Sequence, residues 1–235
     1  MKRLELTPRL RQLADWVPHG ATFADIGTDH ALLPVRLVLD GRLRRCIASD
    51  LRPEPLRRAR ATAKLWGVSG ILFRLCDGLS GIRPDEADTI AIAGLGGENI
   101  AAILDKAPWT CDGEHTLLLQ PMSRAETLRG YLSENGYAIR REALVRERGI
   151  LYPVMEASGG EMRLTPGQCY GGAALSRDPL GDRYLIEKIL RLQNALAGLN
   201  RGRDPDSVKA DELRDILTEL YEMREAWRHG NRPGD

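Results

Sequence analysis

Five short apolar runs recur at residues 22–26, 46–49, 71–75, 89–93 and 116–119, and segments with helical spacing, such as 31–39 and 54–65, lie between most of them. Runs this short and this uniformly apolar suit strands buried on both faces. Parallel neighbours need a crossover of a dozen or more residues, which a helix supplies. The alternation therefore predicts βαβ units and a doubly wound α/β sheet with helices on both faces. Ser123-Arg124-Ala125-Glu126 has capping-box spacing and predicts a helix start there, continuing through Leu128, Tyr131 and Leu132 to Asn135-Gly136. Residues 137–145 and 150–157 then read as an antiparallel hairpin turned by Arg146-Glu147-Arg148-Gly149.

Residues 158–179 are glycine-rich and irregular, and beyond them the periodicity changes. Asp178-Pro179 and Asp204-Pro205 each resemble an N-cap followed by proline at the first helical position. Leu185, Ile189, Leu192, Leu196 and Leu199 form one heptad-like seam, and Leu213, Ile216, Leu220, Met223 and Trp227 a second. Joined by Asn200-Arg201-Gly202-Arg203, the two seams predict an antiparallel, coiled-coil-like helical hairpin. The expected division is a sheet domain over residues 1–160 and a helical domain over 161–235, with residues 229–235 frayed. On spacing alone the hairpin reads as a dimerisation or stabilising element as readily as a surface that grips a nucleic acid.

Composition narrows the class. At 43% hydrophobic over 235 residues, the chain can bury one α/β domain and a small appendage. No run approaches a membrane span, and the residues after Met1-Lys2-Arg3 lack an apolar stretch of signal-peptide length, so cytoplasmic residence is expected. Cys46, Cys76, Cys111 and Cys169 lack CxxC spacing and neighbouring histidines, so reduced packing residues are expected, with no disulfide framework and no metal. The net charge of +1 hides an asymmetry, since residues 1–64 carry 13 Lys+Arg against 7 Asp+Glu. Arg42, Arg44, Arg45 and the arginines of 52–60 read either as solvated faces or as a surface for a polyanion.

The first strand runs into Asp25-Ile26-Gly27-Thr28-Asp29-His30. A pyrophosphate-binding loop at this place uses closely spaced glycines and keeps anions away. Only Gly27 is present here, and Asp29 stands where a second glycine is often found. An acid there repels a dinucleotide and suits a cation. S-adenosyl-L-methionine carries a sulfonium, an ammonium and no phosphate. Asp50 ends the second strand, where a carboxylate can take both ribose hydroxyls. Asp77-Gly78 ends the third, where an acid can accept from an adenine amino group, and Gly94 lies in a glycine-rich end of the fourth, leaving an open crevice. His30 reads as a capping or packing histidine at least as readily as a functional one.

These residues bring a family into view. DIGTDHALLP at 25–34, IAGLGG at 92–97, QP at 120–121, RAETLRGYLSENGY at 124–137 and YGGAALSRDPLGDRYL at 170–185 resemble the bacterial tRNA (adenine-22-N1)-methyltransferase family of the TrmK type. The resemblance implies a class I, Rossmann-like methyltransferase domain with a helical C-terminal domain, S-adenosyl-L-methionine as cofactor, and methylation of N1 of adenine 22 in tRNA. The DIGxDH motif carries over to Asp25, Ile26, Gly27, Asp29 and His30, and by analogy Asp29 is the leading catalytic candidate. At the second-strand end the family varies between Glu and Asp, which Asp50 fits. Gln120 and Pro121 are candidate substrate-side residues, although the family commonly has asparagine next, where this chain has Met122. Arg9, Arg11, Arg42, Arg44 and Arg45, and the helical hairpin, are candidates for phosphate contacts with the tRNA. A monomer is expected, with no membrane partner.

The N1 lone pair of neutral adenine is already free, so in-line placement matters more than a base. Asp29 can either stabilise the developing adeninium or accept a proton from N6. The residues alone also admit a same-fold methyltransferase acting on a small molecule or protein, and a non-catalytic RNA-binding module that keeps the cofactor pocket.

Overall fold

In the computed structural model, residues 4–199 and 207–230 are described. Strands β1 (Ala21–Ile26), β2 (Leu43–Asp50), β3 (Ile71–Leu75), β4 (Thr89–Gly96) and β5 (Thr116–Ser123) lie parallel, and β6 (Tyr137–Glu147) and β7 (Ile150–Gly159) complete a seven-stranded sheet. The order is β3-β2-β1-β4-β5-β7-β6, with β7 antiparallel to both neighbours. The chain steps outward from β1 to β3 and returns to β4 beside β1. That reversal opens a crevice at the carboxyl ends of β1 and β4, the position where doubly wound sheets bind ligands.

Alternate residues of each strand serve different cores. Ala24, Ile26, Ile90, Ile92, Leu117 and Leu119 face α4 (Gly97–Asp105) and α5 (Ala125–Glu134), packing on Ile100, Leu104, Leu128 and Leu132. Phe23, Ala91 and Leu118 face the other way, against Leu13 and Val17 at α1 (Pro8–Trp16) and Leu33 and Leu37 of α2 (Leu32–Leu39). Helix α3 (Pro53–Leu65) packs Ala59 and Ala63 beside Ala31 and Val35. Both faces are therefore buried over the central strands, which explains their short apolar runs, while Leu72 and Leu75 of the edge strand β3 stay exposed.

Helix α5 begins where expected, but Ser123 does not cap it. Pairing with Gly96 keeps Ser123 in β5, and Arg124 takes the cap position in the left-handed region at φ 54°. The turn between β6 and β7 tightens to Arg148-Gly149, both at positive φ, as a two-residue hairpin turn of the primed type requires.

After β7, a short helix α6 (Pro166–Gly171) crosses to the pair α7 (Gly181–Leu199) and α8 (Ser207–Gly230). Asp182 near the start of α7 meets Arg224 and Arg228 near the end of α8, while Gln193 reaches Tyr221, so the helices run antiparallel. The two seams meet, with Leu217 added, Leu199 outside the cluster and Tyr170 of α6 packed on them. Helix α7 starts at Gly181, later than the expected Asp178-Pro179 cap, and Asp178 instead accepts from the Leu180 amide in the preceding turn and from the Leu144 amide of β6, which ties the hairpin root to the sheet. The linker and Asp204-Pro205 lie outside the described residues. The last turn of α8 stays helical through Gly230, whereas fraying was expected from residue 229. Among the described residues, no helix is long and apolar enough to cross a membrane.

Candidate functional site

The crevice at the reversal is a cavity of about 760 Å³, bounded by the ends of β1, β2 and β4, the segment after β3, and one face of α4. The loop after β1 turns tightly. Gly27 lies at φ 72°, Asp29 at 47° and Ala31 at 52°, three left-handed residues within five. Aspartate tolerates that region better than most side chains, and such conformations cluster at ligand clamps. The amides of Gly27 and Thr28 both donate to the Ser49 carbonyl at 2.9 Å, holding the loop against the end of β2.

Three acids predicted from strand ends converge here. Asp29, Asp50 and Asp77 all line the cavity, together with Gly27, Gly78 and Gly94. Asp50 is nearly buried and accepts from the Arg52 amide at 3.1 Å and the Asp29 amide at 3.4 Å. A carboxylate has about four acceptor positions, so capacity for ribose hydroxyls remains. Asp77 stands two residues beyond β3 and pairs with Lys106 at 3.1 Å. Lys106, Asn99 and Ile103 also bound the cavity, and all three escaped the sequence analysis because they come from α4 and the residue just after it, not from a strand-end motif.

Asp29 is exposed and has partners of its own. Arg58 of α3 donates to its Oδ1 from Nη2 at 2.5 Å and from Nε at 3.2 Å, and His30 lies 3.7 Å from Oδ2. Arg58 itself leans on Glu54 at 3.7 Å. The candidate catalytic carboxylate thus carries a cationic neighbour that the motif did not disclose.

Two expected cofactor residues do not bound the cavity. His30 is exposed outside it and neither packs in the core nor caps α2, whose cap position is Ala31. Asp25 lies buried beneath the loop, where Thr28 donates its hydroxyl to Oδ2 at 2.6 Å. Burial pushes its carboxyl up from 3.8 to about 6, against the Thr28 hydrogen bond and helped by the Asp50 charge. The folded state therefore holds the Asp25 proton more tightly than the unfolded chain does. That contribution to stability is complete below about pH 4 and is lost as pH rises through about 6. Asp25→Asn is expected to flatten the pH dependence of stability across that window by on the order of 2–3 kcal/mol, read from thermal melts at closely spaced pH.

The expected substrate-side residues form a support. Arg9 donates to Glu147 at 3.0 Å, to Gln120 Oε1 at 2.7 Å and to the Met122 sulfur at 2.8 Å, and it stacks on Tyr152. Gln120 is fully buried, and its amide donates to the Pro121 carbonyl. Arg9 and Gln120 thus tie α1, β5 and the β6–β7 hairpin together. Pro121 is itself buried and borders a neighbouring groove with the exposed Met122. Arg44 and Arg45 sit at the amino end of β2, the edge opposite the cavity, and Arg42 is spent on the carbonyls of Ala14 and Val17. Arg42, Arg44 and Arg45 are therefore on the wrong edge to hold a base at this site, whereas Arg52 lines the cavity and Arg58 reaches its rim through Asp29.

A methyltransferase domain family model matches residues 6–155. The tRNA (adenine(22)-N(1))-methyltransferase of Bacillus subtilis strain 168 is 31% identical over 98% of this chain and 100% of its own. This chain belongs to the tRNA (adenine(22)-N(1))-methyltransferase family. The crystal structure of the B. subtilis M1A22 tRNA methyltransferase TrmK superposes with a TM-score of 0.86 at 30% identity, covering 94% of this chain and 100% of that one. A Streptococcus pneumoniae structure, described as a putative tRNA (m1A22) methyltransferase in complex with S-adenosyl-L-methionine, gives 0.81 at 28% identity over 94% and 100% of the two chains. The likeness takes in the helical pair as well as the sheet, so this member of the tRNA (adenine(22)-N(1))-methyltransferase family keeps both parts.

Proposed function

We propose that the chain transfers the methyl group of S-adenosyl-L-methionine to N1 of adenine 22 in tRNA. The observation that carries this is similarity over the whole chain to the B. subtilis tRNA (adenine(22)-N(1))-methyltransferase, joined to a cavity rim of carboxylates with no phosphate-binding glycine series. The donor set suits the cofactor. Asp50 offers acceptors for a ribose, Asp77 an acceptor for an adenine amine, and Asp29 a negative charge beside the loop. Gly94, whose α-carbon has open space around it, leaves the transfer edge uncrowded. When bound, S-adenosyl-L-methionine supplies an electrophilic methyl group and departs as a neutral thioether.

The work left to the protein is placement and charge. Orientation of N1 along the line of transfer can contribute roughly 7–11 kcal/mol in favourable cases. Positive charge grows on the adenine ring as the new C–N bond forms. A hydrogen bond from its N6 amine to the Asp29 carboxylate strengthens in step, so the carboxylate favours the transition state over the ground state. The methylated edge is the Watson–Crick edge, which must first be exposed at a cost of a few kcal/mol. A tRNA substrate supports action in the cytoplasm.

Incubation of labelled S-adenosyl-L-methionine with unmodified tRNA, followed by primer extension, tests the assignment. A reverse-transcription stop at position 22 is expected. Label transferred to no tRNA would refute it.

A further inference from the structure

Beside the cofactor cavity runs a groove that the mechanism above does not use. Two adjoining cavities of about 240 and 350 Å³ share Arg124, Lys188 and Arg191. The first lies between the end of β5, the start of β7 and α7, and the second follows α7 toward Lys209 of α8. Ser123 of the groove pairs with Gly96, one residue beyond Leu95 of the cofactor cavity, so the groove departs from the rim where transfer takes place.

Its charge is unevenly satisfied. Both acids of the groove already have partners: Glu126 holds Lys188 at 3.5 Å, and Glu187 holds Arg183 at 3.0 Å. Arg124 is exposed with one ion pair, a distant 3.8 Å contact to Glu98. Arg191 is exposed and, among the described residues, closes no ion pair or hydrogen bond, although its charge helps hold Glu126 ionised from a distance. Two guanidinium groups therefore face solvent along a channel that begins at the transfer edge. Tyr152 and Tyr170 add aromatic walls. Guanidinium groups pair well with phosphate oxygens, and a polyanion threaded here would lead its base toward the cofactor.

We infer that this groove carries the tRNA strand flanking the target adenosine, with Arg124 and Arg191 each bound to a backbone phosphate. The inference rests on tRNA being the substrate. It replaces Arg42, Arg44 and Arg45, on the far edge of the sheet, as the source of positioning contacts.

The test titrates an unmodified tRNA transcript with the full-length protein from about 50 to about 300 mM KCl, comparing wild type with Arg124→Gln, Arg191→Gln and the double variant. Each lost phosphate contact should reduce the slope of log K against log salt by about 1, and the double variant by about 2. The KM for tRNA should rise about tenfold or more in the double variant, with S-adenosyl-L-methionine affinity unchanged and kcat altered by less than about threefold. Arg124→Lys with Arg191→Lys should recover most of the binding, which separates lost charge from a disturbed fold. An unchanged tRNA slope in the double glutamine variant overturns the inference. So does an equal loss from Arg44→Gln with Arg45→Gln. If wild type methylates tRNA and the double variant is unimpaired, the groove alone fails, whereas a wild type that labels no tRNA removes the substrate reading itself.

Discussion

Asp29→Asn is expected to lower kcat for tRNA methylation by about a hundred- to a thousand-fold, the range typical of losing one group aimed at charge that develops in the transition state. Asparagine is the informative replacement. Asp29 sits at φ 47°, a region that asparagine tolerates and alanine does not, so the loop conformation survives while the charge is removed. Single-turnover kinetics at saturating cofactor measure the step directly. Turnover near wild type would strip Asp29 of its role and leave placement as the source of rate. Arg58 contacts the same oxygen, so if it acts through Asp29, removing it in the Asp29→Asn background should add little to the loss.

The largest stability effect is expected away from the site. Arg129 of α5 and Glu142 of β6 form an ion pair at 2.7 Å with both side chains fully buried. Arg129 Nη1 also donates to the Cys169 carbonyl, and Glu142 Oε2 accepts from the amides of Ala173 and Ala174. One charge pair therefore fastens α5, the hairpin and the segment leading to the helical pair. Glu142→Ala strands a buried guanidinium and two amides and should cost about 3–5 kcal/mol. For a chain of this size that lowers Tm by on the order of 10 °C. Arg129→Met combined with Glu142→Leu should be less harmful than Glu142→Ala alone, because no unpaired charge is left inside. Calorimetry on the three proteins checks the order, and a double variant worse than the single one would show that the hydrogen bonds outweigh the charges.

The architecture was legible where each strand is buried on two sides, because such strands must be short and apolar and cannot be mistaken for amphipathic helices. The site was legible as far as it lies on strand ends: Asp29, Asp50 and Asp77 stand at predictable places after β1, at the end of β2 and after β3. Lys106, Asn99 and Arg58 reach it only through the packing of helices, which leaves no local signature. Ser123 misled because its capping pattern competes with a strand ladder, and the ladder to Gly96 won. Arg44 and Arg45 misled for a different reason. A charge count carries no direction, while a parallel sheet has one functional edge. Arg129 resembled any helical arginine because its partner lies on the next element, 13 residues away.

Gly97 lies so close to the Arg124 carbonyl that a β-carbon there would collide with it. The ends of β4 and β5 are consequently one mechanical piece. On the proposed reading, a nucleotide seated on the Arg124 side and a donor seated on the Leu95 side would be referred to a common datum fixed by that backbone contact.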